Sequence, residues 1–192
     1  MNRKQIECDE KIAQAGGIAV LSAVTPEEAV LKAGKLLSAG IRALEIPYRG
    51  KDFFDAADAC IQAVRREVPE MLVGAATVIN PAIARRAVKA GAQFILSPGF
   101  NPRTVRYCLR HSIPVYPGVA TSSEIERALE FGLSTLKYFP AEALGGVKML
   151  SALAGPFPQV RFIVSGGLNA QNAEEYKKCR NVAVVSGSWL SK

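Results

Sequence analysis

The chain has 192 residues, 49% of them hydrophobic and 21% charged, with a net charge of +7. That length suits one domain with a substantial core, and the balance is that of a soluble globular protein. No apolar run approaches the roughly 20 residues that cross a bilayer, residues 1–17 carry charges throughout and lack the apolar stretch of a signal peptide, and the basic pairs Arg65-Arg66, Arg85-Arg86 and Lys177-Lys178 fall on predicted helices without interleaved aromatics, which argues against nucleic acid.

One pattern repeats along the chain: a short run rich in Val, Ile, Leu and Ala, a Gly, Pro or Ser break, and a helical stretch. A helix over 2–15 comes first. Strands are predicted at 18–22, 41–46, 72–76, 94–97, 114–116, 135–139, 161–165 and 182–186. Their near-continuous apolar character suits strands buried on both faces, as in parallel sheets. The intervening helices open on Thr25-Pro26-Glu27-Glu28, Asn80-Pro81, Asn101-Pro102 and Thr121-Ser122-Ser123-Glu124, which read as helix starts. Ser38-Ala39-Gly40, Lys89-Ala90-Gly91 and Glu130-Phe131-Gly132 read as helix ends with Gly as the left-handed cap.

The strand ends Thr77, Ser97, Pro117 and Lys137 are spaced by 20 residues, the period of one β/α unit. Eight such units predict an α/β fold, a (β/α)8 TIM barrel of eight parallel strands in one domain spanning 1–192. An open doubly wound sheet would want a Gly-rich turn after its first strand; here that strand runs into Ser22-Ala23-Val24-Thr25. The chain stops soon after the eighth strand, so the closing C-terminal helix is expected to be absent or truncated. The helix over 2–15 is placed across the N-terminal mouth.

Cys8, Cys60, Cys108 and Cys179 lie far apart without a C-x-x-C pair and read as reduced packing thiols, consistent with the cytoplasm. His111, the single histidine, has no clustered partners for a zinc site. No Ser/His/Asp set or Gly-x-Ser-x-Gly elbow is present. Neither a metal nor a cofactor is expected.

A barrel enzyme works at its C-terminal face, so charged groups at strand ends carry the chemistry. Lys137 stands among apolar residues in Thr135-Leu136-Lys137-Tyr138-Phe139-Pro140. Burial disfavours its ammonium form and frees an amine to attack a ketone, unless the side chain snorkels out. Glu45, in Ala43-Leu44-Glu45-Ile46, is either a proton carrier or half of a structural ion pair with a nearby Arg. Arg49, four residues on, suits a carboxylate clamp or a surface loop. Ser165-Gly166-Gly167 and Ser186-Gly187-Ser188 follow the last two strands, where phosphate commonly binds a barrel.

These phrases resemble a known family. Leu44-Glu45-Ile46, Val73-Gly74-Ala75-Ala76-Thr77-Val78, Ser97-Pro98-Gly99, Tyr116-Pro117-Gly118, Leu136-Lys137-Tyr138-Phe139-Pro140-Ala141-Glu142, Gly145-Gly146-Val147-Lys148 and Ser186-Gly187-Ser188-Trp189-Leu190 occur in the order found in the 2-keto-3-deoxy-6-phosphogluconate and 4-hydroxy-2-oxoglutarate aldolases of class I. The resemblance implies that Lys137 forms a Schiff base and Glu45 is the general acid/base. It implies that Arg49, Thr77 and Pro117 bind substrate, that Phe139 walls the pocket, and that Ser165, Gly166, Gly167, Gly187 and Ser188 hold phosphate. It implies a phosphorylated keto acid as substrate and a homotrimer, without nucleic acid, membrane or metal. Pro47, Ala76, Ser165 and Ser186 depart from it: the family usually has Thr, Gly, Thr and Gly there. A phosphosugar isomerase or epimerase, or a non-catalytic barrel binding a phosphorylated acid, is the alternative.

Overall fold

The computed structural model describes residues 3–22 and 25–192. Asn2 of the expected capping helix and Ala23-Val24 of the first turn lie outside them. The helix starts and stops behave as the sequence predicts. Thr25 and Thr121 close capping boxes with Glu28 and Glu124 on the helices α2 (Pro26–Ser38) and α6 (Ser122–Glu130). Asn80 and Asn101 cap α4 (Pro81–Ala90) and α5 (Pro102–Arg110), each with Pro at its first position. Gly40, Gly91 and Gly132 take positive φ at the helix ends. The other helices are α1 (Arg3–Ala13), α3 (Phe54–Glu67), α7 (Gly146–Leu153) and α8 (Ala173–Lys177).

The strands are β1 (Ile18–Val20), β2 (Ala43–Pro47), β3 (Leu72–Ala76), β4 (Phe94–Leu96), β5 (Val115–Tyr116), β6 (Gly118–Val119), β7 (Thr135–Tyr138), β8 (Arg161–Ser165) and β9 (Val182–Gly187). All pair in parallel, in the order β5-β4-β3-β2-β1-β9-β8-β7-β6. The sequence predicts eight strands; nine form because the fifth is interrupted at Pro117, which has no N–H for a ladder. The chain itself joins β5, paired to β4, with β6, paired to β7. That link brings the two ends of the sheet together, and the TIM barrel is nearly closed.

Two layers of apolar contact follow from burial on both sheet faces. Leu44, Ile46, Val73, Ala75, Ile95, Leu136, Phe162 and Val164 pack outward against the helices. Ile18, Ala43, Phe94, Tyr116, Ile163 and Val184 fill the interior. α1 enters this interior with Cys8 and Ile12. Gln5 Oε1 accepts from the Val115 N–H at 2.9 Å, and the Thr135 hydroxyl donates to Asp9 at 2.9 Å. Val115 and Thr135 begin their strands, so α1 lies at the N-terminal mouth. After β9 a 3-10 turn, Ser188–Ser191, returns to β1, where the Ser191 hydroxyl donates to the Val20 carbonyl.

Candidate active site

Strand alternation decides which groups face inward at the upper end. On β2, Ala43 lies in the interior cluster, so Glu45 points the same way two residues on. Lys137 holds the equivalent place on β7. The two meet: Lys137 Nζ stands 3.7 Å from Glu45 Oε1, and the residues are 6% and 2% exposed. The Phe139 ring lies 5.3 Å from the same Nζ. Glu45 Oε2 is buried without a hydrogen-bond partner. A buried carboxylate with one oxygen unused is costly unless a ligand or a proton-transfer role occupies it.

These groups open into a cavity of about 350 Å³ lined by Glu45, Arg49, Thr77, Lys137, Phe139, Ser165, Gly166, Gly167, Ser186, Gly187 and Ser188, with Val20, Ser22, Ala76, Pro98 and Leu168. Every expected site residue except Pro117 is on that lining. Pro117 is buried, and its carbonyl accepts the Lys137 N–H at 2.9 Å, so it seats the lysine through the backbone. Arg49 is exposed at the rim and makes no ion pair among the described residues. The ion pair expected as the alternative for Glu45 therefore forms with Lys137 and not with Arg49.

Pro47 ends β2 opposite Ala76, and the chain leaves through Tyr48. The Tyr48 N–H donates to the Ala76 carbonyl at 2.9 Å and its hydroxyl to Asp58 at 2.6 Å. Burial and the Asp58 carboxylate raise the Tyr48 hydroxyl well above the usual tyrosine range, so it stays a donor and anchors the start of the Arg49 loop. Thr77 sits at φ +59°, a left-handed conformation that costs a β-branched residue about 1–3 kcal/mol. Its neighbours hold it there. The Val78 N–H donates to Leu96 O at 3.2 Å, and the buried Ser97 hydroxyl donates to Val78 O at 2.7 Å.

The two small-residue turns are adjacent because Ser165 and Ser186 are register partners. Gly166 and Gly167 have φ +99° and +86°. A Cβ on Gly166 would lie 2.8 Å from Pro140 Cα, and one on Gly167 2.5 Å from Glu142 Cγ. The turn's carbonyls are tied back: Ser165 O to Ala141 N, Gly166 O to Glu142 N, Gly167 O to Asn172 Nδ2. The N–H groups of Gly166 and Gly167 have no backbone acceptor among the described residues, which leaves a donor nest for an anion. Glu142 is itself held by the buried Tyr176 hydroxyl, which burial and that carboxylate keep protonated. Ser186 faces the cavity; the sequence names it in the 186–188 turn but gives it no role of its own, and its place at a strand end, where the resembling family has Gly, is the signal that marks it.

A buried amine beside a carboxylate, between a cationic rim and a donor nest, equips this barrel for chemistry through a lysine imine. The sequence model described as KDPG and KHG aldolase matches residues 8–192. A 2-dehydro-3-deoxy-phosphogluconate aldolase of Treponema pallidum (strain Nichols) is 47% identical over 173 residues, 90% of this chain and 80% of that protein. A KHG/KDPG aldolase of Escherichia coli (strain K12) is 43% identical over 164 residues, 85% and 75% of the two. The crystal structure of KDPG aldolase from Legionella pneumophila, with pyruvate captured at low pH as a covalent carbinolamine intermediate, gives a TM-score of 0.87 at 38% identity over 94% of this chain and 86% of that one. The chain belongs to the KDPG and KHG aldolase family.

Proposed function

We propose that this protein is a class I aldolase that cleaves 2-keto-3-deoxy-6-phosphogluconate to pyruvate and glyceraldehyde 3-phosphate, and that it also takes 4-hydroxy-2-oxoglutarate to pyruvate and glyoxylate. The observation that carries the reading is the buried Lys137 amine 3.7 Å from Glu45 Oε1 at the barrel mouth. The Lys137 amine adds to the C2 ketone, and the resulting carbinolamine loses its hydroxyl as water once Glu45 supplies a proton. The iminium then draws the C3–C4 electrons. The bond breaks as the C4 hydroxyl passes its proton to the Glu45 carboxylate, leaving an enamine and the aldehyde. Protonation at C3 and hydrolysis release pyruvate and return Lys137.

Arg49 and Thr77 take the carboxylate, Phe139 walls the reacting carbons, and Ser165, Gly166, Gly167, Gly187 and Ser188 hold the phosphate. The donor nest at Gly166 and Gly167 supports the last assignment. We place the enzyme in the cytoplasm as a homotrimer, one folding unit with α1 as its plug. Phe53 and Ile79, each more than half exposed on loops after adjacent strands, offer apolar surface to a second copy.

Borohydride reduction in the presence of pyruvate, followed by peptide mass mapping, tests the reaction. A pyruvyl adduct should appear on the peptide that contains Lys137. An adduct only on Lys148, or none, removes the imine mechanism.

A further inference from the structure

Ser186 is fully buried, and its hydroxyl has no hydrogen-bond partner in the structure. It nonetheless lines the same cavity as Glu45 and Lys137. A buried hydroxyl left unmatched costs stability, so its presence at this place needs a reason.

The register shows how near the reacting pair it lies. Ser186 on β9 is the partner of Ile18, and Ile18 of Ala43, two residues below Glu45 on the same inward face. From the other side, Lys137 is the partner of Ile163, and Ile163 of Val184, two residues below Ser186. Glu45 reaches Phe94 through Gly74, two residues below Leu96. Inward residues of alternate barrel strands form common layers. Glu45, Leu96, Lys137 and Ser186 are therefore one layer, with Lys137 and Glu45 facing across it and Leu96 and Ser186 on the two flanks. Leu96 brings no polar atom. Ser186 brings the one hydroxyl of that layer.

The unmatched atoms complement each other. Glu45 Oε2 can only accept while ionised, and a serine hydroxyl has a donor to give. Catalytic hydrogen bonds are often open in an unliganded site and tighten when substrate binds. We propose that Ser186 is a positioning residue for Glu45: in the loaded site its hydroxyl donates to Glu45 Oε2. Lys137 then faces one carboxylate oxygen and Ser186 holds the other, which fixes the plane in which Glu45 delivers and recovers its proton. The inference rests on the aldolase reading above.

The test compares the full chain with Ser186→Ala and, as a second removal of the same hydroxyl, Ser186→Gly. Three measurements are made: steady-state cleavage of 2-keto-3-deoxy-6-phosphogluconate, the time course of borohydride trapping with pyruvate, and thermal melting. The variants should lose about 10-fold in kcat and in trapping rate, the worth of one hydrogen bond to an ionised group. KM should move by no more than about twofold, as when an interaction made on the way to the transition state is removed. Ser186→Ala should melt no lower than the parent, because a buried unmatched hydroxyl is gone. Unchanged kcat and trapping overturn the proposal. So does a rise in KM alone, which would make Ser186 a substrate contact, or a lower melting temperature with normal turnover, which would make it structural. An unmutated chain that gives no adduct on Lys137 defeats the aldolase reading itself; an adduct there with unaltered variants defeats only the role of Ser186.

Discussion

At the scale of single residues, Glu45 and Lys137 are explained by the absence of alternatives. Each is an ionisable side chain among the apolar residues of a parallel strand, nearly buried at the floor of the cavity, and each has the other as its ion-pair partner. Glu45→Gln keeps shape and acceptor but cannot carry a proton. Steady-state kinetics should show kcat lower by about 10²- to 10⁴-fold, the usual worth of a placed proton-transfer group, with the melting temperature little changed. A variant that melts early and turns over normally would reduce Glu45 to a structural partner of Lys137. Both residues were legible in the sequence, because a charge in an otherwise apolar strand stands out. Their meeting was not, since nothing in the spacing of β2 and β7 says which layers the barrel aligns. Ser186 was harder still: a serine before a glycine looks like any turn residue until its burial is known.

At the scale of elements, the chain alternates strand and helix with caps that the sequence spells out, and the turn after β8 is shaped by glycine. Gly167 carries φ +86° against the Glu142 side chain, so Gly167→Ala must shift the turn and its N–H groups. Comparing a phosphorylated substrate with its unphosphorylated analogue should show kcat/KM falling by about 10-fold or more for the first, the loss of at least one charge-assisted hydrogen bond, and hardly at all for the second. Equal losses on both substrates would mean that the turn is only scaffold. The break of the fifth strand at Pro117 belongs to this scale as well. Proline signals its missing N–H in any sequence, but only the nearly closed ring gives its carbonyl to Lys137.

At the scale of the whole molecule, the barrel is closed below by α1 and open above at the cavity. The plug carries Asp9, which accepts from Gln5 and Thr135 within the N-terminal mouth. Desolvation outweighs those hydrogen bonds and raises the Asp9 carboxyl above its ordinary 3.8. A raised folded value means that the native state binds this proton more tightly than the unfolded chain. The contribution is full below 3.8 and is lost as pH rises from there through the folded value. Asp9→Asn should therefore flatten the fall in melting temperature over that window and melt higher than the parent at pH 7. A steeper fall, or a lower melting temperature at neutral pH, would show that the charged form is the one the plug prefers.

The sequence by itself determined the alternation of elements, their caps, the parallel arrangement and the two charged strand residues, because each is written in local periodicity, backbone chemistry or a charge in an apolar run. Tertiary structure decided the rest. Closure of the ring set the stagger between strands, and that stagger put Glu45, Lys137 and Ser186 in one layer, gave Glu45 a lysine partner in place of Arg49, and brought the two glycine turns side by side. These are relations between residues distant in the chain, fixed by hydrogen-bond register around a nearly closed sheet, and no local pattern encodes them.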